Sequence, residues 1–187
     1  MSKTTYIPGH YYHIYNRGVN RQAIFFAKHN WGFFIQRLRE YFMDETAVII
    51  AYCLMPNHFH LLVRVLCEDF GRSVMQPFGT SYTKAINREQ YRVGSLFQGR
   101  YKGKRVDKEG YLLHLSRYIH RNPVEAKLVK HPTDWHFSSY RDYVGLREGT
   151  LPKPNIILSQ FSSIAEYAEY VEAGDDNQDI KHLLFDE

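Results

Sequence analysis

Cysteine is scarce in this chain: Cys53 and Cys67 are the two among 187 residues. They form no C-x-x-C pair, which excludes a disulfide-stapled scaffold and the usual cysteine-based zinc modules, and suits a reducing compartment. Long apolar runs are missing as well. The longest, Ala47 to Met55, falls far short of the roughly 20 residues that a membrane span needs, and the opening MSKTTYIPGHYYHIY lacks the apolar centre of a signal peptide. These absences predict a cytoplasmic protein with no membrane partner. There is no H-E-x-x-H motif and no carboxylate near the His58/His60 pair, which counts against a zinc hydrolase. Internal repeats and low-complexity tracts are also absent.

Acidic residues are few over most of the sequence. Residues 1–130 carry 9 Asp+Glu against 20 Lys+Arg, a net of +11, whereas residues 131–187 carry 11 against 4, a net of −7. The modest overall charge of +4 therefore hides a basic body and an acidic tail. What the chain has in abundance is aromatic residues: 15 Tyr, 12 Phe and 2 Trp. Clustered cations with many rings fit nucleic acid, where cations neutralise phosphates and rings stack on unpaired bases.

The hydrophobic pattern predicts a β-α-β-β-α-β-α order. Tyr11 to Asn16 reads as a strand running into the Arg17-Gly18 turn. From Lys28 to Phe42, Trp31, Phe34, Ile35, Leu38, Tyr41 and Phe42 recur at helical steps. Val48 to Leu54 and His58 to Val65 read as two strands joined by a tight Met55-Pro56-Asn57 turn, hence antiparallel neighbours. A helix is expected within Phe70 to Tyr91, with Pro77 and Gly79 obscuring its first half. Leu96 to Val106 suits a loop entering an edge strand. Asp107 is then placed to cap a helix with a Leu112, Leu115, Tyr118, Ile119 stripe that Pro123 stops. This order is that of an α+β ferredoxin-like sandwich, an antiparallel sheet with helices on one face, plus an added helix. Two parts are expected: a domain over 1–130, and an acidic extension over 131–187 that packs on it and has a flexible end. The extension contains a short helix near Trp135 to Leu146, a Pro152/Pro154 linker and an acidic helix over Ile164 to Ala173.

Two segments carry chemistry. In Pro56-Asn57-His58-Phe59-His60, strand alternation puts His58 and His60 on one face and Phe59 on the other. Two imidazoles on a rigid strand make half of a divalent metal site, although they can equally be two partly exposed surface histidines. In Ser116-Arg117-Tyr118-Ile119-His120-Arg121-Asn122-Pro123, helical spacing brings Tyr118 and Asn122 to one face, with Arg117 and Arg121 on an adjacent one. The Asn122 amide, at the helix end before proline, can offer oxygen to a metal or cap the helix. Tyr118 can be a nucleophile or a core tyrosine.

The ordered segments YHIYNRG, CLMPNHFHLLV, LFQGRYK, YLLHLSRYIHRNPVEAKLV and WHFSSY resemble the REP-associated tyrosine transposases, within the HUH single-tyrosine transposase superfamily. The likeness covers about residues 8–145, and 155–175 is similar to extensions of longer members. The resemblance implies His58 and His60 as metal ligands, Asn122 as the third ligand, and Tyr118 as the nucleophile, with Tyr111 as its rival. It implies Mg²⁺ or Mn²⁺, single-stranded or hairpin DNA near a repetitive palindrome, a 5′-phosphotyrosine with a free 3′-hydroxyl, and rejoining of strands without ATP. DNA contact is expected from Arg17 beside Gly18, from Arg100, Tyr101, Lys102, Lys104 and Arg105, and from Arg117 and Arg121. His114 and His120 qualify by spacing as groups that could activate the tyrosine. A monomer or a homodimer, with the tyrosine acting on its own or a mate's histidines, both fit. So does association with the nucleoid. The alternative is a non-catalytic nucleic-acid-binding protein on the same fold, which leaves the histidine pair and YIHRNP unexplained.

Overall fold

The computed structural model describes residues 4–174 and 177–184. Its elements run β1 (Tyr11–Arg17), α1 (Lys28–Tyr41), β2 (Ala47–Met55), β3 (His58–Val65), α2 (Gln76–Glu89), β4 (Lys102–Val106) and α3 (Glu109–Glu125). The strands form one antiparallel sheet in the order β2-β3-β1-β4. This is the ferredoxin-like arrangement, with β4 at an edge as its Gly- and charge-rich sequence indicates.

Period-two alternation gives the sheet two different faces. On one, Tyr12 and Ile14 of β1 and Phe59, Leu61 and Val63 of β3 meet Phe34 and Leu38 of α1 and Phe78, Tyr82 and Ile86 of α2. Phe34 is fully buried there, with the rings of Phe25, Phe59, Phe78 and Tyr82 at centroid distances of 4.8 to 5.4 Å. Pro77 sits in the first turn of α2, and a π-helical turn at Gly71–Met75 leads into it.

The opposite face holds His13, Tyr15, His58, His60 and Leu62 and is crossed by α3, whose Leu112, Leu115 and Ile119 pack with Cys53, Met55 and Leu62. Two expectations about α3 need correction. Lys108 stands at its N-cap rather than Asp107, and no side chain caps it. Pro123 does not stop it. The helix continues to Glu125 and ends where Lys127 turns left-handed (φ 56°), with Leu128 N–H donating to the Pro123 carbonyl (2.9 Å) and Lys127 N–H to that of Val124 (2.8 Å). Proline forfeits one hydrogen bond, to the carbonyl four residues back, and burial of the apolar stripe offsets that loss. Asn122 therefore stays helical and stacked one turn beyond Tyr118.

The extension contains α4 (Tyr140–Tyr143), α5 (Asn155–Leu158), α6 (Ile164–Ala173) and a 3₁₀ turn at Gln178–Leu183. Residues 137–139 run beside β2, with Leu54 N–H donating to Phe137 O and Ser139 N–H to Tyr52 O, both 2.9 Å, so this sheet edge is covered. Ser163 caps α6 by accepting from Glu166 N–H (3.1 Å), and Tyr167 and Val171 bury that helix against α3. The expected flexible end, 185–187, lies outside the described residues. Among the described residues no helix is long and apolar enough to cross a membrane.

Candidate active site

The site forms where α3 crosses the end of β3. His58 and His60 project from the same side of the strand, with ring centroids 4.9 Å apart. Across the ladder they face Arg17 and Tyr15 of β1. From α3, Asn122 brings its Oδ1 to 3.2 Å from His58 Nε2, and the Tyr118 ring stands edge-on to His60 at 5.4 Å. The four residues picked out by motif thus converge within one chain. Tyr111 does not join them. Its hydroxyl accepts from Lys108 Nζ (3.1 Å) and its ring meets His182 at 5.3 Å, toward the C-terminal segment.

The hydrogen bonds around His58 set its protonation pattern. Asn57 Nδ2 donates to the Arg21 carbonyl (3.1 Å), which orients Asn57 Oδ1 to accept from His58 Nδ1 (2.7 Å). His58 therefore carries a proton on Nδ1, and in the neutral ring the lone pair on Nε2 faces Asn122 Oδ1. Two electron-donating atoms 3.2 Å apart suit a shared cation. Adjacent ligands of an octahedral ion with bonds of about 2.1 Å lie about 3.0 Å apart. Among the described residues no group of three or more His, Cys, Asp or Glu side chains could hold a metal, and the donor atom that stands beside the histidine pair is the Asn122 amide oxygen. Two neutral imidazoles and an amide leave a bound divalent ion its full charge.

His60 is completely buried, and burial first, then His58 and His13, hold it well below the ordinary histidine range. His13 is buried as well and is pushed down to about 4, chiefly by burial. Sequence reasoning passed over His13 because YHIYN reads as an aromatic strand. Its one visible signal is parity: His13 is two residues from Tyr15, which pairs with His60.

A cleft of about 870 Å³ opens beside β4, lined by Tyr15, Arg17, Arg100, Tyr101, Lys102 and Lys104 among others. Arg100 lies over the Tyr101 ring at 5.6 Å, and Arg17 Nε donates to Gln98. Lys104 donates to the Leu184 carbonyl (2.6 Å) and approaches the Tyr15 ring at 5.8 Å. Three of the residues expected to contact DNA lie elsewhere. Arg105 alternates to the other face of β4 and does not line the cleft. Arg117 is buried with its guanidinium 4.3 Å from the Tyr170 ring, while Arg121 pairs with Glu125 and donates to the carbonyls of Val171 and Glu172. Both fasten α6 to α3, because the helix face flanking the site is covered by the extension. His120 likewise turns away, held between Tyr167 Oη and Ser139 Oγ at 2.7 Å each.

A solved REP-associated tyrosine transposase bound to a REP hairpin superposes with a TM-score of 0.60 over 82% of this chain and 96% of that one, at 19% identity, a likeness of fold. A Haemophilus influenzae protein described as a REP-associated tyrosine transposase is 27% identical over 111 residues. That match takes in 54% of this chain and 61% of the relative, so it spans less than two thirds of the relative's length. The IS200-like transposase profile matches residues 6–122, a stretch that runs from before β1 through Asn122 and so contains the histidine strand and the tyrosine helix. The chain belongs to the IS200-like transposase family.

Proposed function

We propose that this protein is a metal-dependent single-stranded DNA strand transferase of the HUH type, acting at hairpins of palindromic repeats. The observation that carries this reading is the meeting of His58, His60 and Asn122 with Tyr118 of the same chain. His58, His60 and Asn122 would hold a divalent ion, Mg²⁺ or Mn²⁺, which would supply Lewis-acid polarisation of the scissile phosphate and offset its developing charge.

The chain's own groups supply the rest. The Tyr118 oxygen attacks phosphorus and loses its proton. The bond from phosphorus to the 3′-oxygen breaks, and that oxygen takes up a proton to become the 3′-hydroxyl. One phosphodiester is exchanged for another, so the reverse attack by a 3′-hydroxyl rejoins strands with no outside energy source. Asn57 holds His58 in register, and α3 fixes the distance between Tyr118 and the histidines. The unpaired strand lies along the cleft, where Arg17, Arg100, Lys102 and Lys104 face its phosphates and Tyr101 its bases. Tyr15 and Arg17, which line the cleft from β1, are one strand spacing, about 4.8 Å, from the histidine strand, and β4 is two. The cis arrangement lets one protomer cut.

The test is incubation of the protein with a labelled hairpin bearing a single-stranded flank and Mg²⁺ or Mn²⁺, followed by denaturing electrophoresis. Wild type and Tyr111→Phe should form a covalent adduct and Tyr118→Phe none. Equal adduct from Tyr118→Phe excludes the assigned nucleophile. Hairpin binding without adduct from wild type, across both metals, favours the non-catalytic reading.

A further inference from the structure

His13 is a buried imidazole that the strand-transfer chemistry does not touch, yet it bonds directly to a histidine that does. Its Nδ1 lies 2.6 Å from the carbonyl oxygen of Leu183, and its Nε2 lies 3.0 Å from Nδ1 of His60. The two rings stack with centroids 5.2 Å apart and planes 22° from parallel. The direction of this chain of hydrogen bonds follows from its last member. A carbonyl oxygen only accepts, so the proton of the neutral His13 ring is on Nδ1. Nε2 of His13 must then accept, and His60 Nδ1 must donate. His60 is left with its lone pair on Nε2.

The same outcome is reached independently at His58, through Asn57 and the Arg21 carbonyl. Two separate relays, each ending on a backbone carbonyl, give both histidines a proton on Nδ1 and a lone pair on Nε2. Ligating histidines are generally held this way by partners on the remote nitrogen, which fix the tautomer and the ring orientation.

We infer that His13 is a positioning residue that fixes His60 as the Nδ1–H tautomer, and that the Leu183 carbonyl, from the 3₁₀ turn at Gln178–Leu183, completes this relay. The role as an aid to metal binding rests on the proposed strand-transfer reading; the tautomer assignment does not. Without an acceptor beside it, the Nδ1–H of the buried His60 ring would be stranded in apolar surroundings, and the ring would shift its proton or rotate.

The decisive measurement is long-range ¹H–¹⁵N correlation NMR of the metal-free full chain with labelled histidine, in wild type, His13→Phe and His13→Gln. Phenylalanine keeps the ring volume and removes both hydrogen bonds. Glutamine carries a donor for Leu183 and an acceptor for His60 on one amide. Wild type and His13→Gln should show His60 protonated on Nδ1, and His13→Phe should lose that tautomer. Mn²⁺ binding, followed by the loss of free-ion EPR signal, should weaken about 10- to 100-fold in His13→Phe and recover in His13→Gln.

An Nε2–H tautomer of His60 in the wild type overturns the inference, whether or not the variants fold. So does a His13→Phe protein that keeps the Nδ1–H tautomer and binds Mn²⁺ as tightly as wild type. If the tautomers behave as stated while no covalent DNA adduct forms, the strand-transfer reading fails and the positioning assignment stands.

Discussion

Lys102→Ala and Arg105→Ala form a pair that tests the proposed path of the nucleic acid. The two residues are three apart on β4, alternate to opposite faces and are both exposed, but only Lys102 lines the cleft. Each cation that neutralises a phosphate of a single strand contributes about −0.7 to the slope of log K against log salt. Four contacts, from Arg17, Arg100, Lys102 and Lys104, give a slope of about −2.8, or about a 90-fold loss of affinity between 50 and 250 mM KCl. Lys102→Ala should shallow the slope to about −2.1, so that the same salt change costs only about 30-fold. Arg105→Ala should keep the wild-type slope. Fluorescence anisotropy of a labelled single-stranded oligonucleotide across a KCl series reads both. A Lys102→Ala protein with an unchanged slope, beside an Arg105→Ala protein with a reduced one, would put the strand on the other face of β4 and refute this path.

Other perturbations probe the supports of the site. A Cβ on Gly18 would overlap the Gln22 carbonyl oxygen, and Gly18 N–H donates to Asn57 O (2.7 Å) next to His58. Gly18→Ala should therefore lower the melting temperature and weaken Mn²⁺ binding; an unaffected Tm and affinity would show that the turn can open without cost. Arg147 donates to Asp142, Tyr52 Oη and the carbonyls of His136 and Ser138. The Asp142 side chain is only 4% exposed. Arg147→Ala should cost about 2 kcal/mol in urea unfolding, below the 3–5 of a fully buried pair because 31% of the Arg147 side chain meets water; a loss under about 0.5 would sink the role of Arg147 as a clamp on the extension. His120 is held down to about 3 by burial, so below about pH 6.5 the unfolded chain takes a proton that the fold refuses. Stability should be full above that pH and fall toward pH 3, with His120 contributing about 1.4 kcal/mol per pH unit. The difference in slope between wild type and His120→Gln isolates it from the other buried histidines, and equal slopes would contradict the assignment.

How much was legible from sequence depended on how local each cause is. The bounds of β3 and α6 agree with those expected from sequence, since the Met55-Pro56-Asn57 turn before β3 and the composition of each segment are local signals. That His58 and His60 share one face of a strand, and Tyr118 and Asn122 one face of a helix, was visible because alternation and four-residue spacing are local geometry. The true end of α3 was missed, since a proline forfeits one bond whereas packing along the whole helix decides where it stops. Arg117 and Arg121 looked like a basic flank of the site. Their partners lie about 50 residues away on α6, and nothing in the sequence around them announces a covering helix. His13 was harder still: its significance depends on strand pairing with His60 and on a carbonyl near the far end of the chain.

That last contact links residues 170 apart in sequence. Ribosomes deliver a chain from its N-terminus at about 5–20 residues per second, so roughly 10 to 30 seconds separate the synthesis of His13 from that of Leu183. By the end of that interval β1, β3 and α3 have been made and can pair and pack, while the carbonyl that terminates the His60 relay is the last part to be added. The sheet can form on the nascent chain, but the histidine pair reaches its final protonation pattern only afterwards. Completion of the His60 relay is thereby tied to synthesis of the chain through residue 183.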